Sequence, residues 1–280
     1  MNKWIVLFSL ILLIGVIGIT YFMKSSTLPV VGYFPLDEQS QFTLAESNLE
    51  MDTDRKINWT SDSTSDKSMY LRQDVSLLFE NGKLRGARSK WKQDTNQIAI
   101  KESLSVKESS LFQTISFHHG EIHFPNDQIK SIQHMSAAEL YVVDTTKTAL
   151  TAFTSPENRE ETEWKSLLDK TTKQQLLFHW HQLFSYFDID SDSYLAVPIT
   201  ALNKYDNEPL PSLSQAETNQ IIGQLWEGLY KNYVIPATTL NEKQDSNFIP
   251  IVLFNKQQAH LLVLFELNGK KQQLIQKYPE

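Results

Sequence analysis

The sequence predicts an α+β protein behind an N-terminal transmembrane helix, and three observations carry that prediction. Residues 4–23 run without a charge, matching the ~20 residues that a helix needs to cross a ~30 Å hydrocarbon core. From residue 69 onward, two-residue turn signals separate alternating strands. After residue 155 the apolar spacing changes to three and four, then returns to strand near the end. The chain divides accordingly. A short cytoplasmic tail and anchor (1–24) lead to a linker and polar lead-in (25–68), a β-rich extracytoplasmic unit (69–150) and an α+β unit (151–280). The last unit is expected to pack about three helices on a three-stranded antiparallel meander.

Within the span only Ser9, Thr20 and Tyr21 are polar. Trp4 at one end, with Tyr21 and Phe22 at the other, occupy interfacial positions. A cleaved signal peptide has a shorter apolar run and small residues at its end. This run instead closes on Tyr21, Phe22, Met23 and Lys24, so a retained anchor is expected, with the lipid bilayer as the partner of residues 4–23. Lys3 precedes the span, while Asp37 and Glu38 follow Lys24. The positive-inside rule places the N-terminus in the cytoplasm and the bulk of the chain outside.

At 41% hydrophobic and 21% charged, the remainder is globular in composition. Setting aside Lys3 and Lys24 leaves 24 bases against 33 acids, a balance of −9. Such a surface repels nucleic acid and other polyanions. The chain has no cysteine, which excludes disulfides, thiolate catalysis and cysteine-based zinc sites. An exported domain of this size without disulfides points to a bacterial envelope.

In chain order, residues 24–35 form an extended linker through Pro29, Gly32 and Pro35. Residues 55–60 suit a strand, and residues 61–68 (SDSTSDKS) read by composition as a mobile surface loop. Asn81-Gly82 predicts a type I′ hairpin pairing Glu80 with Lys83 and Phe79 with Leu84. His119-Gly120 suggests a second hairpin. Residues 96–106, 139–144 and 148–154 read as strands, and 126–135 fits a short helix through Ile129 and Ile132. Ser155-Pro156-Glu157 marks a helix start, and a second helix after Thr172 carries Leu176, Leu177, Trp180, Leu183, Phe184 and Phe187. Ser214 with Glu217 is a capping box for a third, which stops before Pro236. Strands over 248–254 and 259–267 follow, and Asn268-Gly269 turns the chain back through Tyr278.

Two groups of residues invite metal chemistry. Asp188, Asp190 and Asp192 fall at positions 1, 3 and 5 of an EF-hand calcium loop, with Tyr194 offering a carbonyl at 7. Position 6 is Ser193 instead of glycine, and position 12 is Ile199 where a bidentate glutamate closes the shell. A solvated acidic loop is the competing reading, and no cofactor is expected apart from this calcium option. His118, His119 and His123 surround Glu121, and a straight strand would put His119, Glu121 and His123 on one face. The second hairpin would break that arrangement. His179 and His181 point apart on their helix, and His134 and His260 have no local partner.

Neither a nucleophile elbow, a zinc-protease helix motif nor a phosphate-binding glycine loop occurs in the sequence. The expected role is therefore a non-enzymatic binder or regulator of another envelope protein, Gram-positive in its layout. An envelope hydrolase using paired carboxylates is the alternative.

Overall fold

The computed structural model describes residues 33–144, 150–238, 247–257 and 259–278. The expected span (4–23) and the linker up to residue 32 lie outside the described residues. No helix among the described residues is long and apolar enough to cross a membrane.

Five long or medium strands open the fold: β1 (Phe42–Met51), β2 (Lys56–Glu80), β3 (Lys83–Ser105), β4 (Ser110–His123) and β5 (Ile129–Val143). A short β6 (Thr151–Phe153) completes their sheet in the order β1-β2-β4-β5-β6, with β3 on β2. β2 and β3 are long enough to serve two layers. The first arm of β2 pairs with β1, its second arm pairs with β4, and β3 accompanies both. The chain passes between layers where the β2–β3 register breaks between Thr64 and Met69; Asp94, in the same stretch of β3, takes a positive φ of 49°. A bulge of this kind bends a strand and raises its twist. The outcome is a nearly closed, barrel-like sheet.

Side chains bridge what the backbone leaves open. On one side Arg88 Nε donates to Glu102 Oε1 at 2.8 Å and Lys90 Nζ to Ala99 O at 2.8 Å, joining the two arms of β3. On the other, β1 lies against β5 without a ladder, and the Ser47 hydroxyl reaches the Ser136 hydroxyl at 2.8 Å. Gly86 leaves room for a side chain of the facing layer: a Cβ there would sit 2.7 Å from the Trp59 ring.

Helix α1 (Arg159–Tyr186) is capped by Asn158. A 3-10 turn (Ser191–Ser193), strand β7 (Tyr194–Pro198) and a 3-10 segment (Ile199–Asp206) lead to α2 (Gln215–Leu229). The Ser214–Glu217 capping box forms as the sequence predicts. Beyond α2 the helix widens into a π turn (Tyr230–Val234) and ends in α3 (Ile235–Thr238), so it runs through Pro236 instead of stopping before it. The wider turn moves aside the carbonyl that a proline ring would strike. β8 (Ile251–Asn255), β9 (His260–Leu267) and β10 (Lys270–Lys277) form a second sheet in the order β10-β9-β8-β7.

These observations correct the α+β expectation. Strand outweighs helix, 51% to 27% of the described residues, so the molecule is mainly β. The small sheet has four strands, because β7 joins the expected meander. The first two expected helices are one 28-residue helix, with Asn158 in place of Ser155 as its cap. Residues 61–68 are strand, and the chain runs straight through His119-Gly120 and through 129–135. For the strand segments the cause is shared: their polar or ambiguous local sequence suits a loop, turn or short helix, while cross-strand pairing decides the conformation.

The outer face of the large sheet and the second half of the chain share one core. Val75, Phe79, Ile115 and Phe117 meet Trp180, Leu225, Trp226 and Val263 in a single cluster. Trp226 stacks on Phe117 with ring centroids 5.1 Å apart. The β2–β3 hairpin tip is held by backbone bonds from Leu84 to Asn247 and from Ile249 to Gly82. Gly82 takes a φ of +79° and lies against Leu176 of α1, so it serves both turn and contact. Residues 31–280 accordingly form one compact unit.

Candidate functional site

Period-two alternation gives β4 two different faces. Its odd residues, Ile115 and Phe117, enter the apolar core, while Ser116 and His118 point into the barrel. β2 behaves likewise: Val75, Leu77 and Phe79 face outward to the core, and Arg72, Asp74 and Ser76 face the lumen. The first arm of β2 contributes Ser61, Ser63 and Ser65, all buried. These are the serines of the stretch that reads as a surface loop by composition.

The lumen residues form a connected network. Asp74 Oδ2 accepts from the Ser63 hydroxyl at 2.5 Å and lies 2.9 Å from His118 Nδ1. His118 Nε2 lies 2.8 Å from Ser136 Oγ, which meets Ser47 Oγ at 2.8 Å. Ser47 donates to Ser116 at 2.7 Å, Ser116 meets Ser76 at 2.7 Å, and Trp59 Nε1 donates to Ser76 at 2.9 Å. Arg72 donates to Ser63, Ser65, Asn96 O and His119 O, and its Nη2 stands 3.5 Å from Asp74 Oδ1. The Phe42 ring covers its guanidinium at 4.7 Å. Arg72, Asp74 and His118 are all 0% exposed.

Asp74, His118 and Ser136 therefore stand in the order carboxylate, imidazole, hydroxyl. In a triad of that order the carboxylate orients the imidazole, and the imidazole itself takes the hydroxyl's proton. Nucleophilic use also needs substrate access, and Ser136 is only 9% exposed, with its oxygen already engaged by Ser47. As built, the network joins β1, β2, β4 and β5 across the lumen. Buried ions cost several kcal/mol each to desolvate, so this density of partners is what makes the lumen viable.

At the free edge of β5, Asp206 accepts from the Met135 N–H at 2.6 Å and sits 3.1 Å from His134 Nδ1. Burial pushes the Asp206 carboxyl up to about 7, against the opposing pull of the Met135 N–H. Burial, and then His118, hold His134 below its ordinary value. A neutral carboxyl donating to a neutral imidazole satisfies both shifts.

The structure disperses the acidic loop. Asp188 follows the end of α1 with a φ of 53°. Asp190 caps the 3-10 turn, accepting from Ser193 Oγ at 2.6 Å and Asp192 N at 3.1 Å, and these bonds hold its carboxyl below the usual range. Lys256 Nζ donates to Asp192 O at 2.7 Å. Tyr194 enters β7, and its hydroxyl meets His260. Among the described residues no three His, Asp or Glu side chains converge as a metal site. The straight β4 places His119, Glu121 and His123 on one face, but His119 is 2% exposed and burial presses it down to about 4. His123 stacks on Tyr70 and lies 3.3 Å from Glu121. His179 stacks on Phe248.

A cavity of about 100 Å³ opens between the loop before α2 and the ends of β7 and β8, lined mainly by Leu195, Leu210, Leu213, Phe254 and Tyr278. Ligand pockets for drug-sized molecules run to ~300–1,000 Å³, so this one suits a single side chain.

The other unusual surface is on α1. Its buried stripe is Leu168, Thr172, Leu176, His179, Trp180 and Leu183. Leu167, Leu177, Phe178 and Tyr186 are exposed by 49%, 42%, 69% and 63%. Residues 174–187 contain no Asp, Glu, Lys or Arg in a chain that is 21% charged.

No family model matches this chain, and no curated protein matches it. Among solved structures, it is similar to the solution structure of AT1g01470 from Arabidopsis thaliana at 10% identity and a TM-score of 0.26, over 44% of this chain and 94% of that one. A likeness of that size carries no argument about fold or function.

Proposed function

We propose that this chain is a single-pass, membrane-anchored extracytoplasmic protein of a bacterial envelope, Gram-positive in layout. Its outer domain binds or regulates another envelope protein, a role that needs no catalysis. The observation that carries this reading is the charge-free outer face of the C-terminal half of α1, within residues 174–187. Solvated helix faces normally carry charge, whereas interface cores are depleted in charge and enriched in aromatic residues. Phe178 and Tyr186 lie on such a face at 69% and 63% exposure. The uncharged span at residues 4–23 supplies the tether, and the acidic remainder argues against nucleic acid as the partner.

The test uses the full-length protein in its native membrane, with a photocrosslinking residue at Phe178 or, as control, at exposed Asn48 on β1. A discrete adduct with another envelope protein is expected at 178 alone. Equal labelling at both positions, or none at 178, overturns the reading. Reporter fusions after Lys24 and at Glu280 check the orientation; cytoplasmic activity at either overturns it.

A further inference from the structure

We propose that β10 is an open strand edge that takes an extended segment of the partner, apolar at its centre and acidic on either side, by strand addition. This rests on the binding role argued above and names the mode of contact. Among the described residues β10 ends its sheet and pairs with β9 alone. Its register runs unbroken from Lys270↔Leu267 to Lys277↔His260, with no bulge to spoil the outer edge. Long regular edges of this kind invite pairing and are usually blunted. The opposite edge of the same sheet shows the contrast: β7 has five residues and closes on Pro198, which has no N–H to donate.

The side chains of β10 specify the occupant. Its sequence, KKQQLIQK, carries three lysines and no acid in a chain of net charge −7. Lys270, Lys271 and Lys277 have no carboxylate within ion-pair distance among the described residues. Lysine alone would be an ordinary edge guard, but Ile275 stands between them at 66% exposure. Lys271, Ile275 and Lys277 share one face by alternation. An added strand would therefore meet a cation, the Gln273 amide, an apolar side chain and a second cation in turn. The other face is tied down: Gln276 donates to Ile221 O of α2 at 3.0 Å, and Leu274 packs on the core. Strand addition then requires little ordering of β10 itself. Lys271 Nζ lies 4.9 Å from the Tyr186 ring centroid, so the edge borders the exposed face of α1.

The probe is a blocked, labelled octapeptide with Glu opposite Lys271 and Lys277, Val opposite Ile275 and Thr elsewhere. Full-length protein in detergent is titrated by fluorescence anisotropy, and amide hydrogen exchange is read by segment. Saturable binding is expected, with slowed exchange over residues 270–277 and none over β7. Lys271→Glu with Lys277→Glu should weaken binding by ~10-fold or more, because two cross-strand charge pairs change sign. A peptide with Lys in place of Glu should bind the wild type worse and that variant better. Equal binding of the two peptides, or an absence of added protection in β10, overturns the proposal. A Phe178 adduct that survives such a result leaves the binding role standing, so the two failures are distinguishable.

Discussion

The two faces of the central strands bury side chains equally well by opposite means. Along β4, Ile115 and Phe117 are 0% and 1% exposed in an apolar core, while Ser116 and His118, which alternate with them, are 0% exposed in a polar lumen. The apolar face gains from area removed from water at ~25 cal/mol per Å². The polar face gains only if each donor and acceptor finds a partner, since an orphaned buried group costs ~1–3 kcal/mol. The first kind of core tolerates exchange of similar shapes. The second fails when a single partner is lost.

The largest effects should come from breaking each face at its centre. Asp74→Ala leaves the Arg72 charge buried without its partner and should cost about 3–5 kcal/mol in urea denaturation of the outer region. Phe117→Ala, on the opposite face, should cost a similar ~3–5 kcal/mol by opening a cavity against Trp226. The double change Arg72→Met with Asp74→Leu separates the mechanisms. Removing both charges should recover most of the loss; a double variant as unstable as Asp74→Ala alone would show that the ion pair itself is what stabilises the lumen.

Asp206 offers the next effect. Its carboxyl titrates near 3.8 when unfolded and near 7 in the fold, so the folded state holds the extra proton between those values. Its stabilising contribution is complete below pH ~4 and is lost as pH rises through 7, by on the order of 2–4 kcal/mol. Asp206→Asn can still accept from Met135 N, and it should flatten the fall in melting temperature between pH 5 and 8. An unchanged slope would move the titration to other groups. His119 runs the opposite way: its value near 4 means that its contribution is present above its unfolded value and is lost as pH falls through 4.

Adjacent residues refine the contrast at smaller scale. Ser116→Ala should cost about 1 kcal/mol by removing a link to Ser47 and Ser76, against about 0.5–1.5 kcal/mol for Ile115→Val. Phe178→Asp touches neither core and should stay within about 0.5 kcal/mol, while abolishing the adduct formed by a photocrosslinking residue placed at exposed Tyr186 on the same face. The smallest effect is expected at the acidic loop. With Asp190 bonded to its own turn and Ile199 in place of a closing acid, melting should be the same in chelator and in millimolar calcium. A calcium-dependent rise that disappears in Asp190→Ala would make this loop an ion site.

Legibility followed the range of the interactions. Asn81-Gly82 set its hairpin correctly, with Glu80↔Lys83 and Phe79↔Leu84 in the expected register, because positive φ at both turn residues is a local demand. The same holds for Asn268-Gly269 and for the Ser214–Glu217 cap. His119-Gly120 has similar chemistry, yet the ladders of β4 with β2 and β5 run through it. There Gly120 makes room for Arg72 and Met69 instead of turning the chain. In the sequence the candidate lumen residues show only as alternation: Arg72, Asp74 and Ser76 fall between Leu71, Gln73, Val75 and Leu77, a pattern that marks a shared side without saying what covers it.

Turns, caps, the all-round burial of β9 and the strand content of residues 69–125 were therefore determined by the sequence alone, since each rests on residues within a few positions of one another. What covers a face was decided by tertiary structure. β2 and β3 had to bend between layers before Ser63 and Ser65 could become partners of Arg72 and Asp74. The helix over 159–186 became continuous by packing on β4, β5 and β9. Polarity along a strand says which residues share a side; whether that side meets water or another sheet depends on chain that lies far away in sequence.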